Sequence, residues 1–154
     1  MSDNFYPIIS ALVANILAQV LKPFFHYLKT GEKNLSMIFE SGGFPSSHTA
    51  LVIGLTLALG YQSGFSSQYF FISLVFSLTV IYDAANVRYY AGQNIKITKQ
   101  LIQDIEVLTQ TTLENPIYRQ KIKEVLGHKW VEVVGGFLLG FITASLLYFM
   151  RIPS

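Results

Sequence analysis

Four apolar segments alternate with polar ones along the chain and predict four membrane-spanning helices. The segments are Phe5–Phe25, Thr49–Tyr61, Tyr69–Val87 and Val131–Met150. A helix satisfies its own backbone hydrogen bonds, as the bilayer core requires. The second segment is short against the roughly 20 residues that a span needs. We therefore expect it to tilt, to begin as early as Ser46, or to be shielded by the rest of the protein.

A long polar stretch, residues 88–129, separates the third apolar segment from the fourth and predicts a helical hairpin. Within it, four positions keep helical spacing on one face, namely Leu101, Ile105, Leu108 and Thr112. Pro116 interrupts this pattern, and a second short helix over Ile117–Leu126 would end at Gly127, a typical helix stop. We expect this insertion to lie solvated over the membrane. The alternative is that its apolar face is a dimer contact, which would make the protein a homo-oligomer.

The composition supports a membrane protein. Hydrophobic residues make up 51% of the 154 residues and charged residues only 13%, against about 25% charged in soluble domains. The mean hydropathy is +0.42. The absence of cysteine excludes disulfides and thiolate metal sites, and a net charge of +2 gives no argument for a nucleic-acid partner. The chain is thus predicted to be one all-α, polytopic membrane domain over residues 1–154, with 88–129 as its polar cytoplasmic insertion.

Basic residues give the orientation of this domain. With four spans, one side of the membrane receives ten of the eleven, namely Lys22, Lys29, Lys33, Arg88, Lys96, Lys99, Arg119, Lys121, Lys123 and Lys129. Only Arg151 lies on the other side. Because basic residues near spans stay in the cytoplasm, the basic face is predicted to be cytoplasmic. We expect a multi-pass protein of a bacterial inner membrane, with its polar clusters on the cytoplasmic side.

The stretch SGGFPSSH, residues 41–48, places a histidine at the start of the second span. A helix N-terminus offers unpaired N–H groups and a positive dipole end, which suit a phosphate group. The hydroxyls of Ser46 and Ser47 and the flexibility of Gly42 and Gly43 would help the backbone to close around an oxyanion. An ionisable side chain such as that of His48, close to a bilayer, suggests function by default.

A second histidine and two cations complete the candidate set. His128 and Glu132 are four residues apart at the start of the fourth span, so they share one helix face. A carboxylate in that position could orient the imidazole and stabilise its charged form. Lys22 and Arg88 lie at the ends of the first and third spans, and arginine suits bidentate phosphate contacts. These residues together suit phosphoryl transfer without a metal.

Other interpretations of the same residues remain open. Lys22 could be an anchor that extends to the membrane surface, Glu132 could pair with Lys129, and Asp83 could be a buried structural partner of Arg88.

Two further kinds of site are not expected. A three-histidine metal site is improbable because His26 has no carboxylate neighbour at ligand spacing. A serine hydrolase is excluded because Ser47 and His48 are adjacent and diverge on a helix, and because no G-x-S-x-G elbow is present.

The motifs resemble those of the type 2 phosphatidic acid phosphatases, relatives of the vanadium haloperoxidases. Residues 45–48, PSSH, resemble the P-S-G-H motif, and residues 128–136, HKWVEVVGG, resemble H-x-x-x-D-V-x-x-G with glutamate for aspartate. The whole chain is similar to the small, divergent branch of that superfamily. There S-G-G-x-P-S-S-H, D-A-x-x-V-R and L-G-H-x-x-x-E-V-x-x-G recur, matched here by residues 41–48, 83–88 and 126–136.

The resemblance implies a role for each residue. His128 would attack phosphorus and carry the phosphoryl group, Glu132 would orient His128, and His48 would protonate the leaving oxygen. The phosphate oxygens would be bound by a common set of groups, namely Lys22, Ser46, Ser47 and Arg88, with Gly43 in the same loop. No cofactor and no metal would be needed, and vanadate would mimic the transition state.

The sequence also departs from the superfamily pattern. The first motif, K-x6-R-P, is represented by Lys22 and then Lys29-Thr30. Arg88 is separated from His128 by the polar insertion, and Ser47 replaces the motif's glycine.

The predicted function is a membrane phosphatase that hydrolyses a lipid phosphomonoester or pyrophosphate through a phosphohistidine. A cytoplasmic site would suit a lipid phosphate made on the inner leaflet, so phosphatidylglycerophosphate is the leading candidate. The alternatives are undecaprenyl pyrophosphate or phosphatidic acid as substrate, or a non-catalytic membrane protein that binds lipid headgroups.

Overall fold

The computed structural model describes residues 5–39, 42–113, 115 and 130–151, and these are helical almost throughout. Five α-helices are present in this part of the chain: α1 Tyr6–Thr30, α2 Ser47–Ser63, α3 Gln68–Tyr82, α4 Arg88–Thr109 and α5 Trp130–Arg151. A 3-10 turn, Leu35–Phe39, lies between α1 and α2, and a π-helical segment, Asp83–Val87, joins α3 to α4. The predicted all-α membrane fold is confirmed.

Helix α1 runs further than its apolar segment predicted. It continues past Phe25 to Thr30 and ends at Gly31, whose φ of 75° is left-handed and whose N–H bonds the carbonyl of Tyr27 at 2.8 Å. Glycine adopts this conformation without the steric cost that a Cβ brings, and it therefore ends many helices. The apolar pattern did not predict this last turn of α1 because its residues are polar. The turn lies beyond the apolar segment, but its backbone hydrogen bonds continue the helix.

Helix α2 is the centre of the bundle, and α1, α3 and α5 all pack against it. It has 17 residues, nine of them buried, and is about 26 Å long, a little less than the roughly 30 Å of a hydrocarbon core. Its contact with α1 is close, since a Cβ added to Gly54 would lie 3.2 Å from both Ala14 Cβ and Ser10 O. The structure therefore shows that the rest of the protein shields the short second span, as expected.

Buried hydroxyl groups hold α3 against α2. Thr56 Oγ1 lies 2.7 Å from both Ser73 Oγ and Ser77 Oγ, and Ser77 Oγ donates to the carbonyl of Val52 at 3.1 Å. Polar pairs of this kind join helices where surrounding lipid is as apolar as the side chains. The α2–α3 interface is thus fixed by hydrogen bonds as well as by apolar contact.

The third predicted span does not end at Val87. The helix continues through Asp83–Val87 into α4, and α4 makes no extensive contact with any other described helix. It ends at Thr109, before Thr112, and Gln110 follows with a φ of 51°. The first helix of the predicted hairpin is therefore present, but it ends three residues before Thr112, the last position of the predicted pattern. The predicted second helix, Ile117–Leu126, lies outside the described residues.

Within the described residues, three helical stretches are long and apolar enough to cross a membrane, namely Tyr6–Thr30, Gln68–Thr109 and Trp130–Met150. Large apolar side chains face outward on each of them, among them Ile16, Val75 and Phe149. An outward apolar surface on a bundle with a small, alanine-rich core is typical of helices that pack in lipid.

Candidate functional site

The N-terminus of α2 is capped by Ser46. Its Oγ accepts from the N–H of Thr49 at 3.3 Å and from Thr49 Oγ1 at 3.0 Å. A serine in this position satisfies one of the N–H groups that a helix start leaves unpaired. The carbonyl of Ser46 also accepts from the N–H of Ala50 at 3.0 Å, and the positive end of the helix dipole lies at this helix start.

Ser47 is the first residue of α2, and its hydroxyl has no hydrogen-bond partner within the described residues. The side chain is 1% exposed, and Oγ is fully buried. Its main-chain carbonyl accepts from Asn15 Nδ2 on α1 at 3.1 Å. An unsatisfied buried hydroxyl costs free energy and is rare in native structures. Ser47 Oγ is therefore a group that a bound ligand could satisfy. His48 follows it, half-buried, in the first turn of α2.

Lys22 of α1 lies against the loop before α2. It is 1% exposed, and a Cβ built on Gly43 would lie 3.8 Å from its Cδ and 3.9 Å from its Cγ. Gly43 has a φ of 94°, a conformation that favours glycine. The loop backbone thus approaches the aliphatic stem of Lys22 closely, which brings a buried ammonium-bearing chain to the start of α2.

Helix α5 closes the third side of this region. The main-chain carbonyl of Glu132 accepts from the N–H of Ser46 at 2.9 Å. One turn further along α5, a Cβ on Gly136 would lie 2.9 Å from Thr49 Cβ and would collide with the carbonyl of Ser46. The Glu132 side chain is half-buried beside this contact. The glycine at position 136 therefore allows the first turn of α5 to approach the N-terminus of α2 closely.

The structure thus brings together Lys22, Gly43, Ser46, Ser47, His48 and the start of α5 with Glu132. Three other predicted residues are placed differently. Arg88 is the first residue of α4, and nothing is described of its side chain; Asp83 is half-buried at the start of the π-helical segment. His128 lies outside the described residues, two positions before α5 begins. Among the described residues there is no group of three or more histidine, aspartate or glutamate side chains that could hold a metal ion.

The sequence-based site missed two polar residues of α1, Asn15 and Gln19. Asn15 Nδ2 donates to the carbonyl of Ser47. Gln19 Oε1 is buried without a partner in the described part of the chain. In the sequence, both residues are recognisable as polar interruptions of the first apolar segment. Together with Lys22 they keep the spacing i, i+4, i+7, which predicts one helix face.

Comparisons with known proteins found a matching family model and a similar protein. A sequence model described as the divergent PAP2 family matches residues 3–143. The chain is 32% identical over 150 residues to the uncharacterized membrane protein YuiD of Bacillus subtilis (strain 168), an alignment that covers 94% of this chain and 95% of that protein. No solved structure matches it significantly.

Proposed function

Because the chain belongs to the divergent PAP2 family, we propose that it is an integral membrane phosphatase that acts on a lipid phosphate. The family relationship by itself supports no more than a PAP2-like membrane phosphatase. The substrate and the catalytic steps are therefore parts of the proposal.

The observation that supports the proposal most directly is the buried hydroxyl of Ser47, which has no partner among the described residues, at the start of a 17-residue helix. The positive end of the helix dipole lies at the same helix start, a position that favours a bound anion. The buried Lys22 chain lies against the same loop. Hydroxyl and N–H donors together with a cation favour an anion with several oxygens, which is the chemistry of a phosphate group.

The proposed reaction has two steps. In the first, an imidazole nitrogen of His128 attacks phosphorus, the bond from phosphorus to the ester oxygen breaks, and His48 donates a proton to the departing alkoxide. In the second, water attacks the phosphohistidine, His48 accepts a proton from that water, and His128 and inorganic phosphate are released. Glu132 orients the imidazole of His128 and stabilises its positive charge.

The remaining site residues stabilise the charge of the phosphate or hold the site in position. Lys22, Ser47 and Arg88 stabilise the negative charge that builds up on the equatorial oxygens of the transition state. Ser46 and Gly43 hold the loop and the helix start in position, and Asp83 supports the third span near Arg88. The leading candidate substrate is phosphatidylglycerophosphate, and undecaprenyl pyrophosphate or phosphatidic acid is second.

Purified protein in detergent tests this proposal through the release of inorganic phosphate from these three lipids, with and without vanadate. We expect metal-independent turnover that vanadate inhibits. His128→Ala and His48→Ala should each lower kcat by several orders of magnitude, because removing either group blocks the covalent route. Circular dichroism and gel filtration check that each variant is folded.

A substitution outside the proposed site gives the matched control. His26→Ala removes the third histidine of the chain, which is half-buried on α1 and has no place in the proposed steps. It should retain most of the activity. Full activity in a folded His128→Ala protein would exclude the phosphohistidine route, and binding without turnover by the wild type would favour the headgroup-binding alternative.

A further inference from the structure

Helix α4 extends beyond the hydrocarbon layer that α3 crosses. The helical stretch Gln68–Thr109 is continuous and has 42 residues, which gives a length of about 63 Å at the rise of an α-helix. The hydrocarbon core of a bilayer is about 30 Å thick. Because the stretch begins with the apolar helix α3, most of α4 lies outside this core. Lipid tails therefore cannot cover the apolar side chains of α4.

One face of α4 is apolar and exposed along most of its length. Six residues lie within about 80° of one another around the helix, and we call them the α4 seam: Tyr90, Asn94, Ile97, Leu101, Ile105 and Leu108. The five apolar members are between 45% and 82% exposed. On the opposite face Gly92 is buried, and Ile95 and Ile102 are half-buried. The seam therefore faces away from the rest of the chain.

The spacing of the α4 seam is that of helices that pair in parallel. Tyr90, Asn94, Ile97 and Leu101 follow at intervals of four, three and four residues, the alternation of a heptad pattern. A single asparagine in such a seam specifies the register of parallel helices. Its amide both donates and accepts, so it can pair with the same residue of an identical helix. Copies of one chain inserted in the same orientation have parallel helices, and Asn94 would then meet Asn94.

The charges of α4 favour an identical helix over a lipid surface. A helix that lies on anionic lipid carries lysine and arginine along its polar face. The residues beside the seam include Thr98 and Gln100, which carry no charge, so two copies do not repel each other there. After its first residue, α4 has two lysines and two carboxylates, namely Lys96, Lys99, Asp104 and Glu106.

We propose that the α4 seam binds the α4 seam of a second copy of this chain, in parallel and outside the hydrocarbon layer. The proposal does not depend on the proposed function, because it rests on one face of α4. Asp104 lies at the edge of the seam, where identical carboxylates of two copies repel each other. Its Oδ1 accepts from Gln100 Nε2 at 2.8 Å. The closely packed part of the seam therefore extends from Tyr90 to Leu101.

Disulfide cross-linking in vesicles of phosphatidylethanolamine and phosphatidylglycerol tests the proposal, because purified protein meets no other protein there. The native chain has no cysteine, and two cysteines can be bridged only where their Cα atoms lie within about 7 Å. With copper phenanthroline as the oxidant, Leu101→Cys should form a covalent dimer about tenfold faster than a control outside the seam. The matched control is Gln103→Cys, since Gln103 is exposed about 160° around the helix from Leu101.

Two substitutions in the Leu101→Cys background should change the rate in opposite directions. Ile97→Glu places a carboxylate in the packed part of the seam and should slow cross-linking about tenfold. Asp104→Leu removes the repelling carboxylates and should accelerate it. All these positions are exposed, so circular dichroism should show an unchanged helix content.

Three results would overturn the proposal. Equal cross-linking rates for Leu101→Cys and Gln103→Cys would show random collision. Unchanged rates in both Ile97→Glu and Asp104→Leu would show that the seam is not the contact. Absence of a cross-link, together with quenching of a fluorophore on the Leu101→Cys thiol by lipids with a spin-labelled headgroup, would identify a lipid surface as the partner of α4.

Discussion

Two adjacent serines at the start of α2 have different environments although the sequence motif treats them alike. Ser46 Oγ is engaged with Thr49, and Ser47 Oγ is buried without a partner in the described residues. The motif could predict that both lie near a helix start. It could not predict which hydroxyl caps the helix, because that depends on where the helix begins.

Alanine substitutions separate the two serines. Ser46→Ala removes the cap and should cost about 1 kcal/mol of stability or somewhat more, seen as a lower melting temperature in detergent. Ser47→Ala breaks no hydrogen bond among the described residues, so its melting temperature should be unchanged. Its kcat/KM for lipid phosphate should fall about ten- to hundredfold, because a hydrogen bond to a charged group is lost. A stable Ser46→Ala together with a destabilised Ser47→Ala would contradict this assignment.

At the scale of whole helices, periodicity predicted the elements better than their ends. The first, third and fourth apolar segments correspond to α1, α3 and α5. The predicted end of the third helix at Val87 was wrong. Asp83 and Arg88 mark a change from apolar to polar residues, but the helix continues through the π-helical segment into α4. Polarity reports where a helix leaves lipid, whereas helix ends depend on caps such as Gly31.

The contact between α5 and α2 could be predicted only in part. The glycines of the fourth span, Gly135, Gly136 and Gly140, are a sequence signal for close helix packing, but the partner atoms, Ser46 O and Thr49 Cβ, follow from the tertiary arrangement. Likewise the approach of Lys22 to Gly43 depends on the path of the loop, which no periodic pattern encodes. The location of His128 stays a prediction, since it lies outside the described residues.

Gly136→Ala tests the importance of this close approach. The added methyl group meets backbone and a buried side chain rather than a flexible chain end, so α5 must shift away from the start of α2. Overpacking of this kind costs about 1–3 kcal/mol, and displacement of Glu132 should lower kcat. Val134→Ala on the outward face of α5, where the residue is 56% exposed, is the control and should change the melting temperature and kcat little. A fully active and stable Gly136→Ala protein would show that the packing is not needed.

For the whole molecule, the candidate site lies at one end of the bundle. The basic end of α1, the N-terminus of α2 and the start of α5 meet there. At the other end, Tyr6 OH donates to the carbonyl of Ala144 at 2.8 Å, and Tyr61 stacks on Tyr148 with ring centroids 4.8 Å apart. Tyrosines of this kind are typical of a membrane interface. A bundle with a polar, basic end and an aromatic end has a defined direction in the membrane.

The orientation itself is a prediction that labelling can test, and it determines which leaflet supplies the substrate. Because ten of the eleven basic residues fall in the loops and span ends of the candidate site, the site should face the cytoplasm. Single cysteines at the exposed positions Ser36, Thr112 and Ser66 report on the two sides, and the native chain has no cysteine to interfere. A membrane-impermeant thiol reagent should label Ser66→Cys in intact spheroplasts, and should label Ser36→Cys and Thr112→Cys only after lysis. Labelling of the latter two in intact spheroplasts would reverse the orientation. The site would then open to the outer leaflet, the argument for an inner-leaflet substrate would fail, and undecaprenyl pyrophosphate would replace phosphatidylglycerophosphate as the leading candidate.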